Sequence, residues 1–139
     1  MASTLRGSVL VVDDQEPVRE LIARILERRG IRSFQAATAA DGLRLVHEHG
    51  AEIQLAIIDM VMPGVTGLDL AADLSREHPN LHILYISGYV QSIAVDVIAR
   101  RSPQAVLLKP LDEATLMQRV NHFLGEFPGA DIPNSNGAA

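Results

Sequence analysis

The run Leu55-Ala56-Ile57-Ile58 leads straight into a single carboxylate, Asp59, and three residues further on Met62-Pro63-Gly64 ends any strand. Pro63 cannot donate to a ladder and Gly64 relaxes the backbone. A segment that is apolar on both faces suits a buried parallel sheet. An acid at the carboxyl end of such a strand stands where open α/β sheets bind their ligands. Taken alone, Asp59 could equally cap the next turn. The chain repeats the arrangement, however: Ser8-Val9-Leu10-Val11-Val12, rich in β-branched residues, ends in Asp13-Asp14.

The remaining elements follow in alternation. Glu16-Pro17 opens a helix, with proline suited to its first turn, and Val18, Leu21, Ile22, Ile25 and Leu26 make one apolar face. Gly30 ends it. A strand over 32–36 leads to a helix over 39–49, closed by Gly50. The strand carrying Asp59 precedes a helix over 67–78, halted by Pro79. A fourth strand, 81–86, ends at Ser87-Gly88, and a helix over 90–101 follows, weakened by Val95 and Val97. A fifth strand, 104–108, ends at Lys109-Pro110. Asp112 caps a last helix striped by Leu116, Val120, Phe123, Leu124 and Phe127. Five strands alternating with five helices through short connections predict an α/β domain, a parallel sheet with helices on both faces. Residues 1–7 read as a flexible lead, 8–127 as the domain and 128–139 as a disordered tail.

Composition narrows the function. A net charge of −5 argues against nucleic acid, because phosphate contacts need clustered Lys and Arg. No apolar run approaches the roughly 18–20 residues of a membrane span, and residues 1–7 lack the apolar core of a signal peptide. With no cysteine there is no disulfide framework or thiolate site, which fits a cytoplasmic protein. The histidines offer no obvious metal motif, since His47 and His49 are two apart and point to different sides of a helix.

In a parallel sheet all carboxyl ends lie along one edge. Asp13, Asp14, Asp59, Ser87 and Lys109 are therefore expected together. Carboxylates about 4 Å apart at an effective dielectric near 20 repel by on the order of 4 kcal/mol per pair, so the cluster requires a counter-ion. Oxygen-only ligands point to Mg²⁺. Three acids, one divalent ion and Lys109 sum to zero charge, which suits an incoming phosphoryl group. A carboxylate beside Mg²⁺ can attack phosphorus to give an acyl phosphate, with Ser87 and Lys109 holding the phosphoryl oxygens.

In four motifs the chain resembles the receiver domain of two-component response regulators. They are Val11-Val12-Asp13-Asp14-Gln15-Glu16-Pro17, Ile58-Asp59-Met60-Val61-Met62-Pro63-Gly64, Ser87-Gly88-Tyr89 and Lys109-Pro110. The likeness spans residues 8–124. It implies a flavodoxin-like (βα)5 fold with strand order 2-1-3-4-5. It also implies that Asp59 accepts a phosphoryl group from a sensor histidine kinase or phosphotransfer protein. Asp14, Asp59 and the Val61 main-chain carbonyl would hold Mg²⁺, Asp13 would help through water, and Lys109 would bind the phosphoryl group beside a cis Lys109-Pro110 bond. The run 84–89 is most similar to receivers attached to or serving hybrid histidine kinases.

One departure stands out. Three residues before the lysine the family usually carries Tyr or Phe, whose ring swings inward on activation, and this chain has Val106. Only twelve residues follow Phe127, so no effector domain is expected there. The chain reads as a stand-alone receiver or a piece of a larger regulator or hybrid kinase, monomeric or weakly dimeric. Its output is a downstream target protein met through helix four, strand five and helix five. It is not expected to be an enzyme beyond its own phosphorylation and dephosphorylation. An aspartate-nucleophile phosphohydrolase would need a second acid two residues after the nucleophile, where Val61 stands. A flavodoxin-like FMN carrier would need a phosphate loop where Asp13-Asp14-Gln15-Glu16 would repel phosphate.

Overall fold

The computed structural model describes residues 7–62, 66–88 and 93–125, with side chains 93–95 left aside. Pro63, Gly64, Tyr89 and Phe127, the tail, and all of the lead but Gly7 lie outside the described residues, and with them the expectations placed on them. The elements run β1 (Ser8–Val12), α1 (Glu16–Arg28), β2 (Ser33–Ala36), α2 (Ala39–His49), β3 (Ile53–Asp59), α3 (Gly67–Glu77), β4 (His82–Ser87), α4 (Ile93–Arg101), β5 (Val106–Leu108) and α5 (Glu113–Leu124). The sheet is parallel with the order β2-β1-β3-β4-β5, as expected.

Alternation along the central strands divides the core in two. Val9 and Val11 of β1 face α1 and α5, packing with Ile22, Leu26, Leu116 and Val120. Leu10 and Val12 face the other way, against Val46 of α2 and Leu70 and Leu74 of α3. All four β1 side chains are fully buried. The continuous apolar reading of β1 and β3 therefore reflects cover on both faces. A smaller cluster under α4 joins Met60 and Val106, with Tyr85 and Ile98 packed against it.

Helix ends follow the local chemistry. At the end of α1, Gly30 takes φ +76°, its N–H donates to the Glu27 carbonyl at 3.0 Å, and Ile31 N–H reaches the Leu26 carbonyl at 2.9 Å. This double closure needs a left-handed residue, which glycine supplies without strain. Asp112 caps α5 as expected, accepting from Thr115 N–H at 2.9 Å.

Several boundaries differ from the sequence reading by one or two residues: β2 and β4 each begin one residue later and α3 ends one residue earlier. β5 starts at Val106 rather than 104, because Pro103–Ala105 close a 3-10 turn in which Ala105 N–H donates to the Ser102 carbonyl at 2.9 Å. Proline fixes its own φ and withholds a donor, so the turn wins over the ladder. β4 extends one residue further, taking Ser87 into the sheet opposite Leu108.

Gly67 opens α3 hard against the end of β3. Its N–H donates to the Met60 carbonyl at 3.1 Å, and a Cβ there would sit 2.1 Å from the Asp59 carbonyl oxygen. The close approach fixes α3 to the strand that carries the acid. Gly67→Ala should push helix and strand apart at a cost of about 2–3 kcal/mol, read as a lower urea midpoint at unchanged m-value. An unchanged midpoint would show that α3 moves away freely.

Candidate functional site

The site lies at the carboxyl ends of β1, β3, β4 and β5. β1 and β3 are neighbours whose onward connections leave toward opposite edges of the sheet, the position at which such sheets open a crevice. Two short links hold the strand ends in register: Met60 N–H to the Ile86 carbonyl at 2.9 Å, and Lys109 N–H to the Ser87 carbonyl at 2.8 Å.

Asp59 is 4% exposed, and its Oδ1 accepts the Val61 N–H at 3.1 Å. Its Oδ2 lies 3.5 Å from Lys109 Nζ. Asp13 is fully buried and folds back on its own turn, with Oδ1 accepting Gln15 N–H at 2.8 Å. Its Oδ2 stands 3.6 Å from Lys109 Nζ, close enough for Coulomb attraction but too far for a hydrogen bond, and it has no hydrogen-bond partner among the described residues. Burial pushes the Asp13 carboxyl above the usual range. The Asp59 charge adds to this, while the Gln15 hydrogen bond and Lys109 oppose it.

Asp14 is exposed, yet a carboxylate oxygen from each of Asp13, Asp14 and Asp59 lies within 4.8 Å of the others. Ser87 is 1% exposed at the end of β4. Val61 is exposed at the mouth of the site. The sequence-predicted residues therefore gather at one edge, around a cavity of about 690 Å³ lined by Asp14, Gln15, Asp59, Val61, Gly88 and Lys109. The donor set suits Mg²⁺: the available atoms are hard oxygens, and the buried, unpartnered Asp13 Oδ2 is an oxygen for an ion or its water to satisfy. The Lys109-Pro110 peptide bond is cis, as the resemblance implied.

Two residues escaped the sequence reading. Gln15 accepts from Lys109 Nζ at 3.2 Å, so the lysine is shared among an amide and two carboxylates. Arg19, one turn along α1, donates to the Asp13 carbonyl at 3.0 Å and to Gln35 Oε1 at 3.1 Å, fastening the start of the loop to β2. Charge counting finds acids and their counter-ions but gives no signal for a neutral amide or for a cation spent on main chain.

A family model of the response regulator receiver domain matches residues 9–121. The chain is 35% identical to the sensor kinase CckA of Brucella abortus over 129 residues, covering 88% of this chain and 13% of that protein. It is 27% identical to protein PilH of Pseudomonas aeruginosa, covering 84% of this chain and 96% of PilH. A CheY-like receiver domain protein from Methanospirillum hungatei superposes with a TM-score of 0.75 at 25% identity, over 90% of this chain and 98% of that one. The share of each relative thus varies from about an eighth of a sensor kinase to nearly the whole of PilH. Sensor kinases are among the relatives, as the run 84–89 led one to expect. The match covers all five strands and the whole of the acidic edge, and this chain belongs to the response regulator receiver family.

Proposed function

We propose that residues 8–127 form the receiver unit, that Asp59 is its phosphoacceptor, and that phosphorylation reshapes the face made by α4, β5 and α5. The observation that carries this reading is Asp59 itself, buried at a strand end with Lys109 Nζ 3.5 Å from Oδ2 and two further acids beside it. The donor is a phosphohistidine on a sensor histidine kinase or phosphotransfer protein. An Asp59 carboxylate oxygen bonds to phosphorus while the P–N bond breaks, and the imidazole nitrogen leaves with that electron pair and takes up a proton. Val61 N–H fixes the rotation of the carboxylate through Oδ1, and Oδ2 lies on the Lys109 side. Lys109 neutralises the phosphoryl oxygens and the Ser87 hydroxyl donates to one of them. Receiver domains bind Mg²⁺ through acidic residues, and here Asp13, Asp14, Asp59 and the Val61 main-chain carbonyl would hold it. When bound, the ion supplies charge neutralisation at the phosphoryl group.

Signal output without an aromatic at position 106 needs another carrier. Val106 sits opposite Tyr85 in the ladder, and both pack with Met60 under α4. A cavity of about 450 Å³ lies between α4 and α5, lined in part by Asp96, Ala99, Val106 and Arg119, whose guanidinium donates to the Val106 carbonyl. Tyr85 and the loop after Ser87 are therefore the coupling elements, and α4 is the part that moves. This is a population shift biased by new phosphoryl contacts.

Beryllofluoride, a phosphoryl mimic, tests the whole scheme by amide NMR. In the presence of Mg²⁺ we expect shifts around Asp59 and across residues 93–108, lost in Ser87→Ala and retained in Val106→Ala. Shifts confined to the Asp59 surroundings would remove α4 and β5 from the output.

A further inference from the structure

We propose a second metal site, for Zn²⁺, at the opposite edge of the sheet, built from His47, Glu77 and His78. His47 lies in the last turn of α2, Glu77 is the last residue of α3, and His78 is its C-cap. Both helices run back against the strands, so their C-terminal ends meet at the edge farthest from Asp59. Ligand atoms of the three side chains lie within 4.8 Å of one another. His47 Nδ1 is 3.8 Å from Glu77 Oε1, and the His47 and His78 rings meet edge-on with centroids 5.9 Å apart.

Three independent features favour a cation here. Two imidazoles with one carboxylate form a donor set that suits zinc and not Mg²⁺, so ligand chemistry separates this site from the all-oxygen cluster at Asp59. His78 Nε2 is buried and has no hydrogen-bond partner among the described residues, and one of the two ring nitrogens of His78 lies within 4.8 Å of a ligand atom of each of the other two side chains. Finally, two helix C-termini converge, each with a partial negative charge and carbonyls beyond the helical ladder. A tetrahedral ion with bonds of about 2.0–2.2 Å draws its ligand atoms to about 3.4 Å apart. Rotation of the exposed His47 and Glu77 side chains supplies that closure. The fourth position is left to water. His49, the neighbour considered from sequence, plays no part, since its ring stacks on Phe34 with centroids 4.4 Å apart. The partner of His47 comes from another helix, which spacing along one helix does not reveal.

The ion would pin α2 to α3. Isothermal titration with Zn²⁺, run in excess Mg²⁺ so that the acidic cluster is filled, should show one zinc per chain. His47→Gln and Glu77→Gln should each weaken binding at least tenfold. Co²⁺ in place of Zn²⁺ should give the intense visible bands of a four-coordinate ion with the unaltered chain, and lose them in His78→Gln. Beryllofluoride binding at Asp59 should stay unchanged in His47→Gln, which separates this site from the phosphorylation site. Equal zinc affinity in the unaltered chain and His47→Gln would overturn the proposal. So would zinc uptake that survives these variants and disappears in Asp59→Asn, because the ion would then sit in the acidic cluster.

Discussion

Incubated with acetyl phosphate and Mg²⁺, the domain should gain one phosphoryl group on Asp59, and the Asp59→Asn variant should gain none. The expectation rests on the chemistry of one oxygen. An asparagine keeps the shape of the side chain and can still accept the Val61 N–H that Asp59 Oδ1 accepts at 3.1 Å, but its amide has no nucleophilic carboxylate oxygen. EDTA should stop uptake as well, since the three carboxylates then repel the incoming phosphate. Lys109→Ala should slow uptake by about 10²–10³-fold, the usual cost of removing one donor that meets developing charge. Intact-mass spectrometry reads all four cases. Equal labelling of Asp59→Asn would place the acceptor on another residue.

The second large effect concerns stability. Asp13→Asn should raise the melting temperature of the metal-free protein. Asp13 is fully buried, lies within 4.8 Å of two other acids, and shares its counter-ion Lys109 with Asp59. A like-charge pair 4–5 Å apart at an effective dielectric near 20 costs about 3–4 kcal/mol, part of which Lys109 offsets. Asparagine preserves the acceptor for Gln15 N–H, so the turn survives while the charge goes. A gain of about 1–2 kcal/mol follows, or about 5 °C.

The same reasoning sets a pH dependence. Burial raises the Asp13 pKa in the folded protein, so the fold holds that proton more tightly than the unfolded chain does. Its contribution is favourable below the ordinary aspartate range and is lost as pH rises through the folded pKa. In EDTA, the advantage of Asp13→Asn should grow as pH rises above the ordinary aspartate range and shrink toward pH 4. Mg²⁺ should stabilise the unaltered domain and have far less effect on the variant. A variant that melts at or below the unaltered chain in EDTA would mean that Asp13 is already compensated.

Why the sequence revealed so much at this edge is a matter of topology. Parallel strands all end on one side, so any acid at the end of β1 or β3 joins any other, whatever the helices between them do. The apolar runs of β1 and β3 are covered on both faces, and their composition alone marks them as central. What stayed hidden depends on three-dimensional neighbours. Asp13 and Asp14 are adjacent in sequence, yet one is fully buried and the other exposed, because the Gln15 hydrogen bond turns the chain between them. Gly67 looks like an ordinary glycine at a helix start until the Asp59 carbonyl is placed against it. Strand five loses two residues to a turn at Pro103, which a window of apolar residues cannot register.

The short edge strand has one more consequence. β5 contributes three residues, its Val106 carbonyl is already bound by the Arg119 guanidinium, and Pro110 follows close behind with no N–H to offer. An outer strand of this kind gives another chain almost no backbone to pair with. Contacts made on this flank, by a second copy or by a target, would therefore be contacts of exposed side chains on α4 and α5 rather than of strand backbone. At this flank the sheet itself stays closed to extension.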